Sequence, residues 1–346
     1  MVKKLTALGL LLALSACVSR EQARPMPGPS FRKIERFDKA KMDKLIPPNA
    51  EIEVLGSGFA WTEGVVWLPT EKCILFSDIP NNRVMKWKEG QGMSQYLKPS
   101  GYTDGPERGG ETGSNGLTLD PQGRLVLCQH GDRRVARMDA PLGAPAPKFI
   151  TLADRYDGKR LNSPNDLVYH SSGALYFTDP PYGLVKQDET DPAKQLDFQG
   201  VYRLTPNGGI TLLTKDLTRP NGICFSPDEK RLYIAVSDPK HAVFMVYDVK
   251  PDGTIANGKV FFDTTKWVEQ GQLGLPDGIK CDRDGNLWAT GPGGVYIFTP
   301  EAVLLGAIRT GVATANLNWG DDGSVLYICA DMGMLRVKTS TKGKGW

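Results

Sequence analysis

The sequence predicts an all-β fold: a six-bladed β-propeller. Three observations carry this expectation. A hairpin-like pattern of two apolar runs around a polar turn recurs six times along the chain. The residues that open the repeats recur roughly every 40–56 positions, the length of a four-stranded propeller blade. Within each repeat the apolar residues alternate with a period near two, which excludes a helical solenoid.

The chain starts "MVKKLTALGLLLALSACVSR". Lys3 and Lys4 form a basic n-region, and Leu5 to Leu14 form an apolar stretch too short to span a bilayer. "LSAC" has the form of a bacterial lipobox. It assigns 1–16 to a lipoprotein-type signal peptide and makes Cys17 the lipidation site. The alternative is an ordinary signal peptide cut nearby, with Cys17 removed. Residues 17–30 read as a Pro-, Arg- and Ser-rich tether, and 31–346 as the propeller. The expected location is the periplasm, with membrane contact only through the N-terminal lipid anchor. A formal net charge of +3 over 346 residues gives no reason to expect a nucleic-acid partner.

The other five cysteines are Cys73, Cys128, Cys224, Cys281 and Cys329. Each sits in a strand-like run without CxxC or His-paired spacing, so buried free thiols are expected, with a single disulfide as the alternative. Three histidines are too few for a His-rich zinc site.

The repeats are "TEGVVWLPTEKCILFSDIPNNRVMKW", "SNGLTLDPQGRLVLCQHGDRRVARMD", "PNDLVYHSSGALYFTDPPYG", "PNGICFSPDEKRLYIAVSDPKHAVFMVYDV", "PDGIKCDRDGNLWATGPGGVYIF" and "ANLNWGDDGSVLYICADMGMLRV". Turns such as "DPQG" and "DRDG" separate the paired runs, as in hairpins. The segment 31–61 is expected to supply a short helix and then a strand that pairs with the last blade and closes the ring. Closure removes the open sheet edges. The openers are Glu63, Asn115, Asn165, Asn221, Asp277 and Asn316. Equal repeat phase places them at one height around the central channel. Glu63, Asn165, Asn221 and Asp277 then converge as two carboxylates and two amide carbonyls, a hard-oxygen set suited to Ca²⁺. Mg²⁺, Mn²⁺ and Zn²⁺ are the alternatives. Taken singly, each NG, ND or DG pair is turn punctuation. Turn chemistry does not explain a glutamate at position 63.

These same segments, with "FAWTEGVVW", "LADRYDGKRLNSPNDLVYHSSGALYFTDPPYGL" and "LPDGIKCDRDGNLWATGPGGVYIF", resemble the senescence-marker/regucalcin/gluconolactonase family. The likeness is greatest to its bacterial gluconolactonases and covers nearly all of the chain after the tether. It implies a six-bladed propeller with one divalent metal, usually calcium, on ligands matching Glu63, Asn165, Asn221 and Asp277. It also implies metal-dependent hydrolysis of glucono-1,5-lactone or a similar aldonolactone to the aldonic acid, with Asp277 as the base. One departure is Val65, where the family usually has Pro after Glu-Gly. Asp166 is the second candidate base and is equally well read as a strand-entry cap. Asn115, His130, Arg160, Asn162 and Tyr182 are the candidate contacts to a small sugar lactone. The polar insert "GYTDGPERGGETGS" (101–114) reads as a mobile loop over the channel mouth. No GxSxG elbow and no nucleotide fingerprint are present. Two other functions fit a propeller: a non-catalytic binding module, and a paraoxonase-like esterase.

Overall fold

The computed structural model describes residues 26, 28–106 and 108–346. The signal segment, Cys17 and the tether up to residue 25 lie outside the described residues. Six antiparallel sheets stand around one axis. Their innermost strands are Thr62–Leu68, Ser114–Leu119, Leu167–Tyr169, Pro220–Phe225, Ile279–Cys281 and Thr314–Gly320. Each of these strands touches its two neighbours, and the last returns to the first. The six-bladed expectation holds.

Period-two alternation explains the core. Successive side chains of a strand point to opposite faces, and every blade is covered on both faces by its neighbours. In blade 1, Val65, Trp67, Ile74 and Phe76 face blade 6, joining Tyr327 and Met334. Val66, Leu68, Cys73 and Leu75 face blade 2, joining Leu117 and Leu125. Four further clusters fill the remaining junctions in the same way. All five described cysteines are free and buried in these layers. Cys224 and Cys281 come nearest to a pair, with their Sγ atoms 3.9 Å apart.

The helix and closing strand expected before residue 61 are present. Asp38 caps the helix Lys39–Leu45 by accepting from Lys41 N at 3.1 Å, and Met42 and Leu45 bury against blades 5 and 6. The strand Glu53–Ser57 then pairs antiparallel with Gly333–Lys338, the last strand of the chain. Arg336 secures the pairing through Glu53 Oε2 at 2.7 Å. Lys33–Arg36 adds a fifth strand to blade 5, which the sequence pattern did not suggest. Among the described residues no helix is long and apolar enough to cross a membrane.

The axis is crowded, and glycine makes the crowding possible. A Cβ on Gly222 would lie 2.1 Å from the carbonyl oxygen of Asp277, and one on Gly64 1.9 Å from that of Asn115. Gly222→Ala should therefore lower stability by about 1–3 kcal/mol, the usual range for overpacking. Urea unfolding checks this, and an unchanged midpoint would show that the blades are not in close axial contact.

Candidate active site

Four openers enter their strands through β-bulges. The register of blade 1 shifts between Glu63 and Val66, that of blade 2 between Ser114 and Leu117, that of blade 4 between Pro220 and Ile223, and that of blade 6 between Thr314 and Asn316. A bulge bends the strand and re-aims a side chain. Gly64, at φ 55°, supplies the left-handed backbone that the blade 1 bulge needs. Asn165 and Asp277 stand two residues before Leu167–Tyr169 and Ile279–Cys281, in the same phase.

The result is an axial cavity of about 200 Å³. Glu63, Asn115, Asn165, Asn221 and Asp277 all line it, together with Tyr182. Asn165 Oδ1, Asn115 Oδ1 and Asp277 Oδ1 are buried and have no hydrogen-bond partner. Asn221 spends its amide nitrogen on Ser237 Oγ at 3.0 Å, which leaves its oxygen for the cavity. Glu63 Oε2 accepts from Gly64 N at 2.9 Å and Asn316 Nδ2 at 2.8 Å. Asn316, the sixth opener, thus orients Glu63.

Two carboxyls share this buried space. Burial pushes Glu63 up to about 7, against the Asn316 and Gly64 donors. Burial, then the facing Glu63 carboxylate, pushes Asp277 well above the usual range. A positive charge between them would relieve both penalties. Among the described residues no three His, Cys, Asp or Glu side chains form a metal cluster. The donor set here is two carboxylates plus amide oxygens, and its unpartnered buried oxygens fit a hard divalent cation.

The remaining candidates divide. Tyr182 forms a wall, its hydroxyl donating to Ser237 O at 3.3 Å, and burial pushes its phenol up so that it stays protonated. His130 is fully buried behind the wall, with Nδ1 3.3 Å from Glu111 Oε2. Arg160 is not brought into the cavity. It lies in a two-stranded ribbon, Arg155–Tyr156 with Lys159–Arg160, and its guanidinium donates to Asp132 O at 2.6 Å. Asn162 is also held away, because its amide nitrogen donates to Asp179 O and Phe198 O. Asp166 has the geometry of a cap. Its Oδ1 accepts from Leu167 N at 2.9 Å, its Oδ2 from Ile223 N of the next blade at 3.3 Å, and Lys280 Nζ stands 3.7 Å from Oδ2.

Described residues of the insert 101–114, read from the sequence as a mobile loop, make hydrogen bonds to the propeller body. Asn82 Oδ1 accepts from Ser100, Gly101 and Tyr102 N, and Arg108 donates to Gly183 O at 2.9 Å. It contributes Glu111 to the cavity, a residue that sequence reasoning missed along with Trp61, Leu275 and Thr314. A further signal was legible but unread. The second strands end in Ser77-Asp78, Thr178-Asp179 and Ser237-Asp238 at one phase. Ser77 Oγ donates to Asn115 O at 2.8 Å and Thr178 Oγ1 to Asn221 O at 2.7 Å, fixing the next blade's opener. The acids hold the segment before their own opener: Asp78 accepts from Ala60 N, and Asp179 from Asn162 and Ser163 N.

Fold and site together define a six-bladed propeller with an oxygen-lined axial pocket. Residues 61–331 match the family model described as SMP-30/Gluconolactonase/LRE-like region. A gluconolactonase of Zymomonas mobilis is 39% identical over 92% of this chain and 89% of its own length. An L-arabinolactonase of Azospirillum brasilense is 30% identical over 77% of this chain and 79% of its own. The solved structure of a Xanthomonas campestris gluconolactonase superposes with a TM-score of 0.76 at 30% identity, covering 92% of this chain and 99% of that one. The chain belongs to the SMP-30/gluconolactonase family.

The cap geometry of Asp166 makes a direct prediction. Asp166→Ala should lower unfolding free energy by about 1–3 kcal/mol, the cost of orphaned buried donors. It should lower kcat far less than Asp277→Asn does. Equal kinetic losses in the two variants would restore Asp166 as a candidate base.

Proposed function

We propose that this protein hydrolyses sugar lactones, such as glucono-1,5-lactone or a similar aldonolactone, to aldonic acids in its axial cavity, with a divalent cation as cofactor. The observation that carries this is the convergence of Glu63, Asn165, Asn221 and Asp277 on one cavity, with Asn165 Oδ1 and Asp277 Oδ1 buried and unpartnered. The match to a gluconolactonase along nearly the whole chain supports it.

Glu63, Asn165, Asn221 and Asp277 would hold the cation, calcium by their donor set, and it would supply Lewis acidity toward the lactone carbonyl and acidity to a water. The chain does the rest. Asn115, with a free Oδ1 in the wall, accepts from a substrate hydroxyl. The Tyr182 ring gives the sugar a flat face, and its position is set by the bond to Ser237 O. Asp277 Oδ1 takes a proton as the water oxygen bonds to the carbonyl carbon. That proton passes to the ring oxygen as its bond to the carbonyl carbon breaks, giving the open acid. Glu63, fixed by Asn316 and Gly64, holds negative charge opposite Asp277 without moving.

Three measurements test this. Purified protein should open glucono-1,5-lactone and lose that activity with EDTA. Asp277→Ala should cut kcat by about 10²–10⁴, the usual contribution of a general base; full activity in that variant would sink the site. Calcium at about a hundred times its Kd should stabilise the dialysed protein by about 2.7 kcal/mol. Asn165→Ala should abolish that shift in a thermal melt, and an unaltered shift would move the cation elsewhere.

Export as a lipid-anchored periplasmic protein belongs to the same proposal and rests on "LSAC". Cys17→Ala should move the protein from the membrane to the soluble fraction of its host. An unchanged distribution would favour an ordinary signal peptide.

A further inference from the structure

Blade 2 departs from blades 1, 3 and 4 in a way that bears on substrate choice. At the end of the second strand, blades 1, 3 and 4 carry Asp78, Asp179 and Asp238. Blade 2 carries His130 at that phase. The acid has moved to the approach segment, as Glu111, four residues before the opener Asn115. In blades 1 and 3 the aspartate is consumed by backbone N–H groups of the approach segment. In blade 2 the reversal leaves a carboxylate on the cavity wall.

His130 is buried to 0% exposure, and neither ring nitrogen has a well-aligned hydrogen-bond partner. Its Nδ1 lies 3.3 Å from Glu111 Oε2, whose side chain keeps 24% exposure. The imidazole thus backs the carboxylate from inside the fold while the other side of Glu111 meets the cavity. The segment that carries Glu111 is anchored. Arg108 donates to Gly183 O and Gly131 O and lies over the Tyr102 ring at 5.1 Å. Beside Glu111, Asn115 Oδ1 is buried and unpartnered.

The charge balance points one way. Glu63, Asp277 and Glu111 line the cavity, and no Lys or Arg does among the described residues. Three carboxylates outnumber the charge of one divalent cation. Such a wall accepts hydrogen bonds from neutral hydroxyls and repels a second anionic group on the ligand. The nearby arginines are engaged: Arg108 as above, and Arg219 beside Glu189 at 3.5 Å.

We propose that Glu111, oriented by the buried His130, is the specificity-determining residue of the cavity: it accepts a hydrogen bond from a hydroxyl of a neutral polyhydroxylated lactone and excludes lactones bearing a phosphate or carboxylate. His130 is a positioning residue. The proposal rests on the lactone-hydrolase reading for its substrate, but its test has a separate binding arm. That arm measures, by calorimetry with calcium present, the affinity for 1,5-anhydroglucitol and for its 6-phosphate, neither of which can be hydrolysed. The kinetic arm compares glucono-1,5-lactone with its 6-phosphate.

In the unaltered protein both arms should favour the neutral compound by about ten-fold or more. Glu111→Ala should weaken the neutral ligand about ten-fold, the loss expected for one charge-assisted hydrogen bond. Its KM should rise by more than its kcat falls. Glu111→Gln should narrow the preference against phosphate. His130→Phe should shift affinity in the same direction, and combining it with Glu111→Ala should add little, as for residues acting through one contact. If the unaltered protein prefers the phosphate, or if Glu111→Ala and Glu111→Gln leave both arms unchanged, the proposal is overturned. Absence of lactone hydrolysis with the binding preference intact would overturn the hydrolase reading and leave the selectivity standing.

Discussion

Everything at the centre of this molecule depends on how closely adjacent blades meet at the axis. The carbonyl of one blade's opening segment is held by the blade before it: Ser77 Oγ to Asn115 O, Gly116 N to Asn165 O at 2.7 Å, Thr178 Oγ1 to Asn221 O, and Gly278 N to Ala315 O at 2.7 Å. In blades 1, 2, 4 and 5 the residue beside the opener lacks a Cβ, and Gly64, Gly116, Gly222 and Gly278 let the neighbouring backbone come this close. Each bond is worth about 0.5–1.5 kcal/mol net. Their larger effect is geometric. A side chain whose backbone is gripped from the neighbouring blade has little freedom to move its oxygen off the axis.

Blade 3 breaks this rule and reveals its purpose. Asp166 stands where blades 1, 2, 4 and 5 have glycine, and its carboxylate takes over the bonding, accepting from its own strand and from Ile223 N of blade 4. The Asn–Asp pair therefore divides its labour. Asn165 faces the cavity, and Asp166 ties two blades together with Lys280 as counter-charge. The carboxyls of Glu63 and Asp277 are the cost of the design, because two buried acids facing one another are unfavourable until a cation neutralises them. Burial pushes both carboxyls up, and repulsion from Glu63 raises Asp277 further. Stability at the axis is given up where the chemistry needs it, and the apolar layers between blades offset the loss.

Much of this was legible in the chain. The number and spacing of the openers specified six blades, and the paired apolar runs of each repeat specified their inner strands, whose successive residues point toward two different neighbouring blades. The phase of Glu63, Asn165, Asn221 and Asp277 specified their meeting, because rotational repetition converts sequence phase into position. Asn115 and Tyr182 reached the cavity as expected. Arg160 and Asn162 did not, although they precede a cavity residue by only a few positions. Proximity along a loop does not say which way a side chain turns. Arg160 sits in a local ribbon, and the Asn162 amide is claimed by carbonyls of its own blade.

The sequence by itself determined the architecture and the ring of axial oxygen donors, which follow from a periodic pattern, while the likeness to a family was carried by the particular residues of its motifs. Tertiary structure alone decided the features that break the pattern. It assigned Asp166 to a cap, drew Glu111 into the cavity from an insert that looked like free loop, and set His130 behind it. These outcomes depend on contacts between residues distant in the chain, such as Arg108 with Gly183 and His130 with Glu111. No local periodicity encodes such contacts, because they are fixed by which surfaces the closed ring brings together.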